Sequence, residues 1–273
     1  MISIESPRAP VLAVVSPKGG NGKTTTAVNM AVSLAHLAPS ILVDLDVSFG
    51  DVEYALRLHP LHRLDDVVRR VGENPYTDID LLLTPYSNEL GVLCSPGNPV
   101  IADELNVDAA FSVVDRIVAM GRPLVLDTGA GIGDYVLGAL DRATHTLLVS
   151  GTDVASVQAG RKLLETMTQM GLDLASVRLV VNRSNSRSGL TVGDVEAVLG
   201  LSTSMRIPEV QRMAAAMNEG VPVAVSGAVP HATQSYNSFA ADIMGSMLNM
   251  NAAPKALALV PERRRRFLRG GKS

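Results

Sequence analysis

A short apolar run that leads directly into a glycine-rich segment constrains the fold of this chain more than any other feature. The run, Val11–Ser16 (VLAVVS), is rich in β-branched residues and is typical of a buried parallel strand. The glycine-rich segment Lys18–Thr26 (KGGNGKTTT) follows, and Thr24–Ala38 then shows apolar residues at helical spacing up to Pro39. A strand, a glycine loop and a helix in this order form the first half of a βαβ unit, so the sequence predicts an α/β fold.

The rest of the chain repeats this alternation of strands and helices. Further strands are predicted at Ile41–Leu45, Leu90–Cys94, Leu124–Asp127, Thr146–Ser150 and Arg178–Asn182. Helices are predicted at Val107–Met120, Asp134–Asp141, Val154–Met170, Val192–Leu199 and Pro208–Asn218. Because such units are joined by right-handed crossovers, we expect a doubly wound, mostly parallel sheet with helices on both faces. We expect this domain to span residues 1–248, followed by a joint and a basic tail over 249–273.

Composition excludes several classes of protein. Apolar residues make up 47% of the 273 residues, which is enough for a buried core. No apolar run reaches the roughly 18 residues that a membrane-spanning helix needs. The single cysteine, Cys94, excludes an intramolecular disulfide framework and a cysteine-rich zinc site. The absence of Trp, with only four Phe and five Tyr, argues against an aromatic platform for single-stranded nucleic acid. We therefore expect a cytoplasmic globular protein.

The net charge of -3 is unevenly distributed along the chain. Residues 261–273 carry five Arg, one Lys and one Glu, so the tail has a charge of +5 and the body has a charge of -8. An acidic body is not typical of a protein whose surface is built for nucleic acid. Residues 263–269 mix basic and apolar side chains, which predicts weak contact with an anionic membrane surface. The same tail is equally compatible with contact to DNA phosphates or to a protein, or with a solvated end.

The glycine-rich segment has the chemistry of a phosphate-binding loop. Glycines let the backbone turn its N–H groups toward an anion, and the start of the following helix adds positive potential. In such a loop the lysine reaches the β- and γ-phosphates and the threonine hydroxyl ligates Mg²⁺. We expect a cofactor-binding set of Gly19, Gly20, Asn21, Gly22, Lys23, Thr24 and Thr25, with Thr24 also a metal ligand. The strict pattern has glycine at position 17, which is Pro17 here, and the alternative is a turn that binds nothing.

Two strand ends carry acids suited to a magnesium site. Asp44 and Asp46 are two residues apart at the end of a strand, so both point to the same side. Asp127 ends another apolar strand, in the form of a strand whose acid holds Mg²⁺ through water. Because ligands bind outside the carboxyl ends of the strands in open α/β sheets, Asp44 and Asp46 can orient Mg²⁺ or water there, and we expect Asp127 to be a metal-binding residue. The alternative is that these carboxylates only cap the next turn or helix.

The segment KGGNGKTTT resembles the deviant Walker A motif of the ParA/MinD family of dimerising ATPases, and the likeness covers about residues 10–248. The resemblance implies ATP and Mg²⁺ as cofactors and slow hydrolysis within a homodimer. Lys18 is then a catalytic lysine that reaches across the dimer to the phosphates bound by the partner. Asp46 is then the catalytic carboxylate that positions the attacking water, and Asp44 supports the metal site.

The same resemblance implies a base-binding end of the site. Asn182 is assigned to the adenine edge, where an amide can donate and accept hydrogen bonds at once, with Arg183 beside it. The backbone at Pro208 is expected to pass the base. Two features depart from the family pattern: Asn21 stands where Val is common, and Val47–Phe49 replaces the common Pro-Gln continuation.

The stretch DLDVSFGDVEYALRLHPLHRLDDVV resembles the pilus-assembly branch of the family, CpaE and TadZ. That branch often has a degraded nucleotide loop, whereas Lys18, Lys23 and Thr24 are all present here. We expect a switch in which Mg-ATP closes the dimer, hydrolysis releases it, and an unidentified protein partner or hydrolysis activator reads the closed state. The output would be the positioning of a pilus or secretion apparatus, at polar foci or at the membrane or nucleoid surface. The alternative is a ParA-type partition ATPase that binds non-specific DNA to segregate a chromosome, plasmid or protein cargo.

Overall fold

One eight-stranded sheet organises the part of the chain that the computed structural model describes, residues 9–186 and 189–252. The strand order is β3-β4-β2-β5-β1-β6-β7-β8. The strands are β1 (Val11–Ser16), β2 (Ser40–Leu45), β3 (Thr84–Ser87), β4 (Leu90–Leu93), β5 (Leu124–Ala130), β6 (His145–Ser150), β7 (Val177–Asn182) and β8 (Thr203–Ile207). Neighbouring strands are parallel except for the antiparallel pair of β3 and β4 at one edge.

Helices cover both faces of the sheet. They are α1 (Lys23–Ala35), α2 (Val52–Ala55), α3 (Leu64–Glu73), α4 (Pro99–Glu104), α5 (Val107–Ala119), α6 (Asp134–Arg142), α7 (Val154–Gln169), α8 (Val192–Leu199), α9 (Gln211–Asn218), α10 (Val223–Ser226) and α11 (Pro230–Ala252). The predicted doubly wound, mostly parallel α/β fold is therefore confirmed.

The central strand β1 is apolar from Val11 to Val15 because both of its faces are covered. Val11, Ala13 and Val15 pack into a core layer formed with α3 and α5 to α8. Leu12 and Val14 pack into the opposite layer, formed with α1, α2 and α9 to α11. Because both faces of the strand are buried, no position in its interior is left for a polar side chain.

The structure differs from the prediction at two edge strands, at one helix start and at five helices that were not predicted, α2, α3, α4, α10 and α11. The sequence analysis did not predict β3, which contains Pro85 and has one paired neighbour, or β8, in which only Met205 and Ile207 are buried. The helix predicted from Pro208 begins at Gln211 instead. The side chain of Asn185 bonds both the N–H and the C=O of Glu209, so these backbone groups are engaged before the helix starts.

The last helix, α11, passes through residue 248, where the sequence predicted the end of the domain. It begins at Pro230 and runs to Ala252, and it packs against α1, α10 and β8. The basic segment 263–269, for which membrane contact was predicted, lies outside the described residues. Among the residues that are described, no helix combines the length and the apolar character needed to cross a membrane.

Candidate nucleotide-binding site

A cavity of about 1260 Å³ opens at the carboxyl ends of the central strands. Its wall comes from the ends of β1, β2, β5, β7 and β8 and the segments that follow them, which is where ligands bind in open α/β sheets. Among the predicted site residues, the cavity is lined by Gly19, Gly20, Gly22, Lys23, Thr24, Thr25, Asp46, Asn182, Arg183 and Pro208. The remaining predicted residues, Lys18, Asn21, Asp44 and Asp127, do not form part of this lining.

The glycine loop adopts a backbone that requires glycine. Gly20 and Gly22 have positive φ angles of 79° and 89°, a region that residues with a Cβ rarely adopt. A Cβ on Gly22 would also lie 2.3 Å from the Nδ2 atom of Asn182. Asn182 donates from this nitrogen to the carbonyl oxygen of Asn21 at 2.9 Å. The loop is thus held against the end of β7, and position 22 leaves no space for a side chain.

The Asn21 side chain is buried and faces away from the cavity. Its Nδ2 atom donates to the Ser16 hydroxyl at 2.9 Å, and its Oδ1 atom accepts from the Ser156 hydroxyl at 3.0 Å. Asn21 therefore ties the glycine loop to the end of β1 and to the first turn of α7. Because this buried amide is outside the cavity lining, we expect any contact of Asn21 with a phosphate to come from its backbone.

Asp44 and Asp127 form a buried acidic pair. They are register partners on the adjacent parallel strands β2 and β5, so their side chains lie on the same face of the sheet. Asp44 accepts hydrogen bonds from the backbone N–H groups of Asp46 at 3.1 Å and Val52 at 3.4 Å. Neither carboxylate oxygen of Asp127 has a hydrogen-bond partner among the described residues. Asp127 thus offers two buried acceptors to a ligand.

Burial raises the pKa of Asp127 to about 7. The Thr24 hydroxyl and the Lys23 ammonium favour its charged form and lower this pKa, although the hydroxyl makes no hydrogen bond of normal geometry to the carboxylate. Burial, together with the charge of Asp127, also raises the pKa of Asp44 well above its usual range. Two carboxylates in this position therefore carry their negative charge at a cost, and a bound cation would remove that cost.

The donor set fits Mg²⁺ held together with a nucleotide. Mg²⁺ prefers hard oxygen ligands and is commonly bound by one or two carboxylates plus substrate phosphates. Asp127 and Thr24 supply such oxygens beside the glycine loop. The described part of the chain contains no group of three or more His, Cys, Asp or Glu side chains that could hold a metal alone. A metal ion bound here would therefore depend on the phosphates for the rest of its ligands.

Lys18 lies at the rim and is paired within its own chain. Its Nζ atom is 3.4 Å from the Oδ1 atom of Asp153, and the two side chains are 47% and 43% exposed. The same carboxylate accepts a hydrogen bond from the Ser156 N–H at 3.0 Å and so caps the first turn of α7. The hydrogen bonds from Ser156 and the contact with Lys18 lower the pKa of Asp153.

The far end of the cavity is built around Asn182 and Arg183. The Oδ1 atom of Asn182 accepts from the N–H of Arg183 at 2.9 Å, so this amide is bonded at both ends to the backbone. Arg183 has a φ of 53°, which is uncommon for a residue with a side chain, and its Nε atom is 3.8 Å from Glu209. Pro208 lies in the extended segment opposite them, before α9. The side chains that were expected at the base are thus present, with Asn182 engaged in holding the loop.

The comparison with known families decides the assignment. Residues 12–223 match the CobQ/CobB/MinD/ParA nucleotide binding domain. The chain belongs to this family. The match includes the glycine loop, both strand-end acids and the whole far end of the cavity, so the cavity lies within the nucleotide-binding domain.

Relatives of this CobQ/CobB/MinD/ParA domain cover most of the chain. An uncharacterized ATP-binding protein of Methanocaldococcus jannaschii is 27% identical over 244 residues, which are 86% of this chain and 88% of that protein. The antiactivator FleN of Pseudomonas aeruginosa is 30% identical over 181 residues, 64% of this chain and 62% of that protein. The septum site-determining protein MinD of Pyrococcus horikoshii, complexed with Mg-ADP, has a TM-score of 0.75 at 18% identity, covering 90% of this chain and all of that one. At this identity the solved structure supports the fold alone.

The sequence analysis missed several residues of the site in this family member. Asp153 precedes the predicted helix Val154–Met170 and Ser156 lies in its first turn, but neither was predicted as a site residue. Nothing local in the sequence connects them with Lys18 and Asn21. Met213 and Met217 line the cavity from α9. Their spacing of four residues on a helix next to the cavity segment at Pro208 was the available signal.

Proposed function

We propose that this chain is an Mg²⁺-dependent ATPase that acts as a switch by dimerising with ATP. The observation that carries the proposal is the buried Asp127, whose two carboxylate oxygens lack partners among the described residues and which lies beside Thr24 and Lys23. A buried carboxylate without hydrogen-bond partners destabilises the folded chain unless a ligand binds to its oxygens. Mg²⁺ bound to a nucleotide supplies the missing charge, and membership of a nucleotide-binding family supports this choice.

The residues have separable roles in this proposal. The backbone of Gly19–Thr25 and the Lys23 ammonium hold the phosphates, and Thr24 with Asp127 holds the metal ion, supported by Asp44. The metal ion, when bound, neutralises charge on the phosphate oxygens. Asp46 lines the cavity and orients the attacking water. Arg183 and the backbone at Pro208 contact the base, and Asn182 fixes the loop below them.

Lys18 carries the dimerisation step of the proposal. Its side chain is 47% exposed and pairs with Asp153, and neither residue lines the cavity. Its partner Asp153 is about half exposed, and exposed ion pairs contribute only about 0–1 kcal/mol. Release of Lys18 toward phosphates bound by a second copy is therefore cheap.

The cellular role that we propose is positioning of a pilus or secretion apparatus, as in the CpaE/TadZ branch. The support is the segment from Asp44 to Val68, which follows the pattern of that branch. The second candidate role is partition of DNA or of a protein cargo by an ATPase that binds non-specific DNA. It is supported by the name ParA in the family description. Salt-dependent DNA binding that requires ATP would favour partition. Its absence, together with polar foci in cells, would favour the first role.

The proposal also includes the division of the chain into a domain and a tail, and the location of the protein in the cell. The ATPase domain would extend to about residue 248, and residues 249–273 would link it to the basic segment 263–269. That segment would give weak contact with an anionic membrane surface, so the protein would act in the cytoplasm and at a surface. Binding of the full chain to anionic vesicles, lost when 263–269 is made neutral, tests this assignment.

The central experiment is the Lys18→Ala variant, measured by light scattering with ATP and Mg²⁺. We expect the wild-type chain to dimerise and the variant to remain monomeric while keeping its melting temperature. Lys162→Ala is the matched control, because Lys162 is an exposed lysine on α7. Normal ATP-dependent dimerisation of the Lys18→Ala variant would contradict the proposal.

A further inference from the structure

A set of polar contacts next to Asp44 lies outside the cavity and has no role in the binding steps described above. The Oδ2 atom of Asp44 accepts from the N–H of Val52, the first residue of α2. The Ser95 hydroxyl lies beside the same carboxylate and favours its charged form. A Cβ on Gly50 would be 2.0 Å from the Ser95 hydroxyl oxygen and 2.3 Å from the Asp44 Oδ2 atom. Asp44 is thus wedged between α2 and the segment that follows β4.

Arg63 connects these two supports of Asp44. Its guanidinium pairs with the carboxylate of Glu53, which follows Val52 in α2. Its Nη1 atom also donates to the carbonyl oxygen of Ser95 at 3.2 Å. The contacts therefore close a ring that runs from Asp44 through α2, Arg63 and Ser95 back to Asp44.

The position of Arg63 is fixed by its surroundings. A Cβ on Gly97 would lie 3.1 Å from the Arg63 Nε atom, so the guanidinium packs directly on this glycine. The N–H of Leu64 donates to the carbonyl of Cys94 at 2.9 Å and anchors the start of α3 to the end of β4. The Arg63 and Glu53 side chains are only 26% and 15% exposed. Because a largely buried ion pair loses hydration, it needs better hydrogen-bond geometry than an exposed pair to be stable.

We propose that Arg63 is a positioning residue for Asp44, and through it for the Mg²⁺ site formed with Asp127. This inference rests on the proposed Mg²⁺–nucleotide function. Residues that hold metal-binding side chains in place commonly change metal affinity or activity by about 10- to 100-fold when they are replaced. Lysine is a poor substitute, because one ammonium does not match the fixed geometry in which Arg63 meets both Glu53 and the Ser95 carbonyl.

The test is a titration of MgCl₂ against binding of a fluorescent ATP analogue, starting from protein freed of metal with EDTA. We expect Arg63→Met to raise the Mg²⁺ concentration for half-maximal binding by roughly tenfold or more. Arg63→Lys should lie between this variant and the wild type. The matched control is Arg69→Met on α3, the helix that begins directly after Arg63. Arg69 is 58% exposed, and among the described residues its ion-pair partners are Asp66 and Glu73 of α3. Affinity for the analogue in EDTA should stay within about twofold of the wild type.

A double variant separates positioning from simple loss of charge balance. If the effect came from leaving Glu53 unpaired, Glu53→Gln combined with Arg63→Met would restore the wild-type Mg²⁺ dependence, and the inference would be wrong. Persistence of the shift in the double variant supports positioning. A lower melting temperature with unchanged Mg²⁺ dependence in Arg63→Met would also overturn it. The proposed switch function has a separate test, because it fails if the wild-type chain forms no dimer with ATP. In that case the ratio of the Mg²⁺ requirements of the variant and the wild type would still test the role of Arg63.

Discussion

Replacing Asp127 by Asn is expected to stabilise the chain in the absence of nucleotide and to remove its response to Mg²⁺. Asp127 is fully buried, and its oxygens have no hydrogen-bond partner among the described residues. Asn has nearly the same shape but carries no charge. The substitution therefore removes the cost of a buried anion while it also removes the proposed metal ligand.

The magnitude follows from the shift in the Asp127 pKa from 3.8 to about 7. At about 1.4 kcal/mol per pKa unit, ionised Asp127 costs about 4 kcal/mol above pH 7. Because the folded chain holds this proton more tightly than the unfolded chain, the free energy of unfolding falls as the pH rises from about 4 to about 7. Asp127→Asn removes this cost, but burying the Asn amide without hydrogen-bond partners costs about 1–3 kcal/mol and offsets part of the gain. We expect a net stabilisation of about 1–3 kcal/mol at pH 8 and no gain at pH 4.

The measurement is urea unfolding at pH 4 and pH 8, in EDTA and without nucleotide. Burial lowers the pKa of His145 to about 4, so His145 acts with the opposite sign: its contribution to stability is lost as the pH falls below about 6.5. The informative quantity is therefore the difference between Asp127→Asn and the wild type, in which the contribution of His145 cancels. Added Mg²⁺ and ATP should stabilise the wild type and leave the variant unchanged.

Equal pH dependence of the variant and the wild type would refute this reasoning, because it would mean that Asp127 is not held against its charge in the folded chain. Stabilisation of the Asp127→Asn variant by Mg²⁺ at the wild-type Mg²⁺ concentration would refute the assignment of Asp127 to the metal site. The two results are independent of each other. A role in folding and a role in binding are thus tested by one variant.

Three further substitutions test the loop and its rim. Asn21→Ala removes both hydrogen bonds of a buried amide, and we expect urea unfolding to show a loss of about 1–3 kcal/mol. Gly22→Ala places a Cβ 2.3 Å from Asn182 Nδ2, at a residue whose φ is 89°. Calorimetry should show ATP binding that is weaker by roughly tenfold or more. A near-normal affinity would contradict the loop geometry. Asp153→Asn keeps the helix cap but frees Lys18 from its ion pair. Light scattering should therefore show dimerisation at an ATP concentration equal to or lower than that of the wild type. If the variant needs more ATP than the wild type, the ion pair assists dimerisation.

The parts of the fold that the sequence predicted well are those in which local pattern and burial agree. β1 is apolar from Val11 to Val15 because both of its faces are covered, and its end points were predicted to the residue. The edge strand β8 was missed because one side of it faces solvent, so polar residues interrupt its short sequence. Edge strands are subject to weaker sequence constraints than central ones, and pattern alone therefore locates them poorly.

The candidate site shows the same division between local and distant information. Gly22 and Lys23 were predicted from a contiguous motif. Arg63 and Asp153 belong to no motif, because each acts on a residue that is distant in sequence and near only in the fold. The side-chain direction of Asn21 was not predictable either, since it depends on Ser156 in the first turn of α7.

The strand order explains why the acidic pair and the phosphate loop meet at all. β5 lies between β2 and β1, so Asp127 is the register partner of Asp44 on one side and of Val14 on the other. The glycine loop begins just past the end of β1, which brings Lys23 and its neighbours toward the same carboxylate. A slip of β5 by one residue would turn Asp127 to the opposite, apolar face. The register that buries the apolar core therefore also fixes the proposed metal site, and neither can change alone.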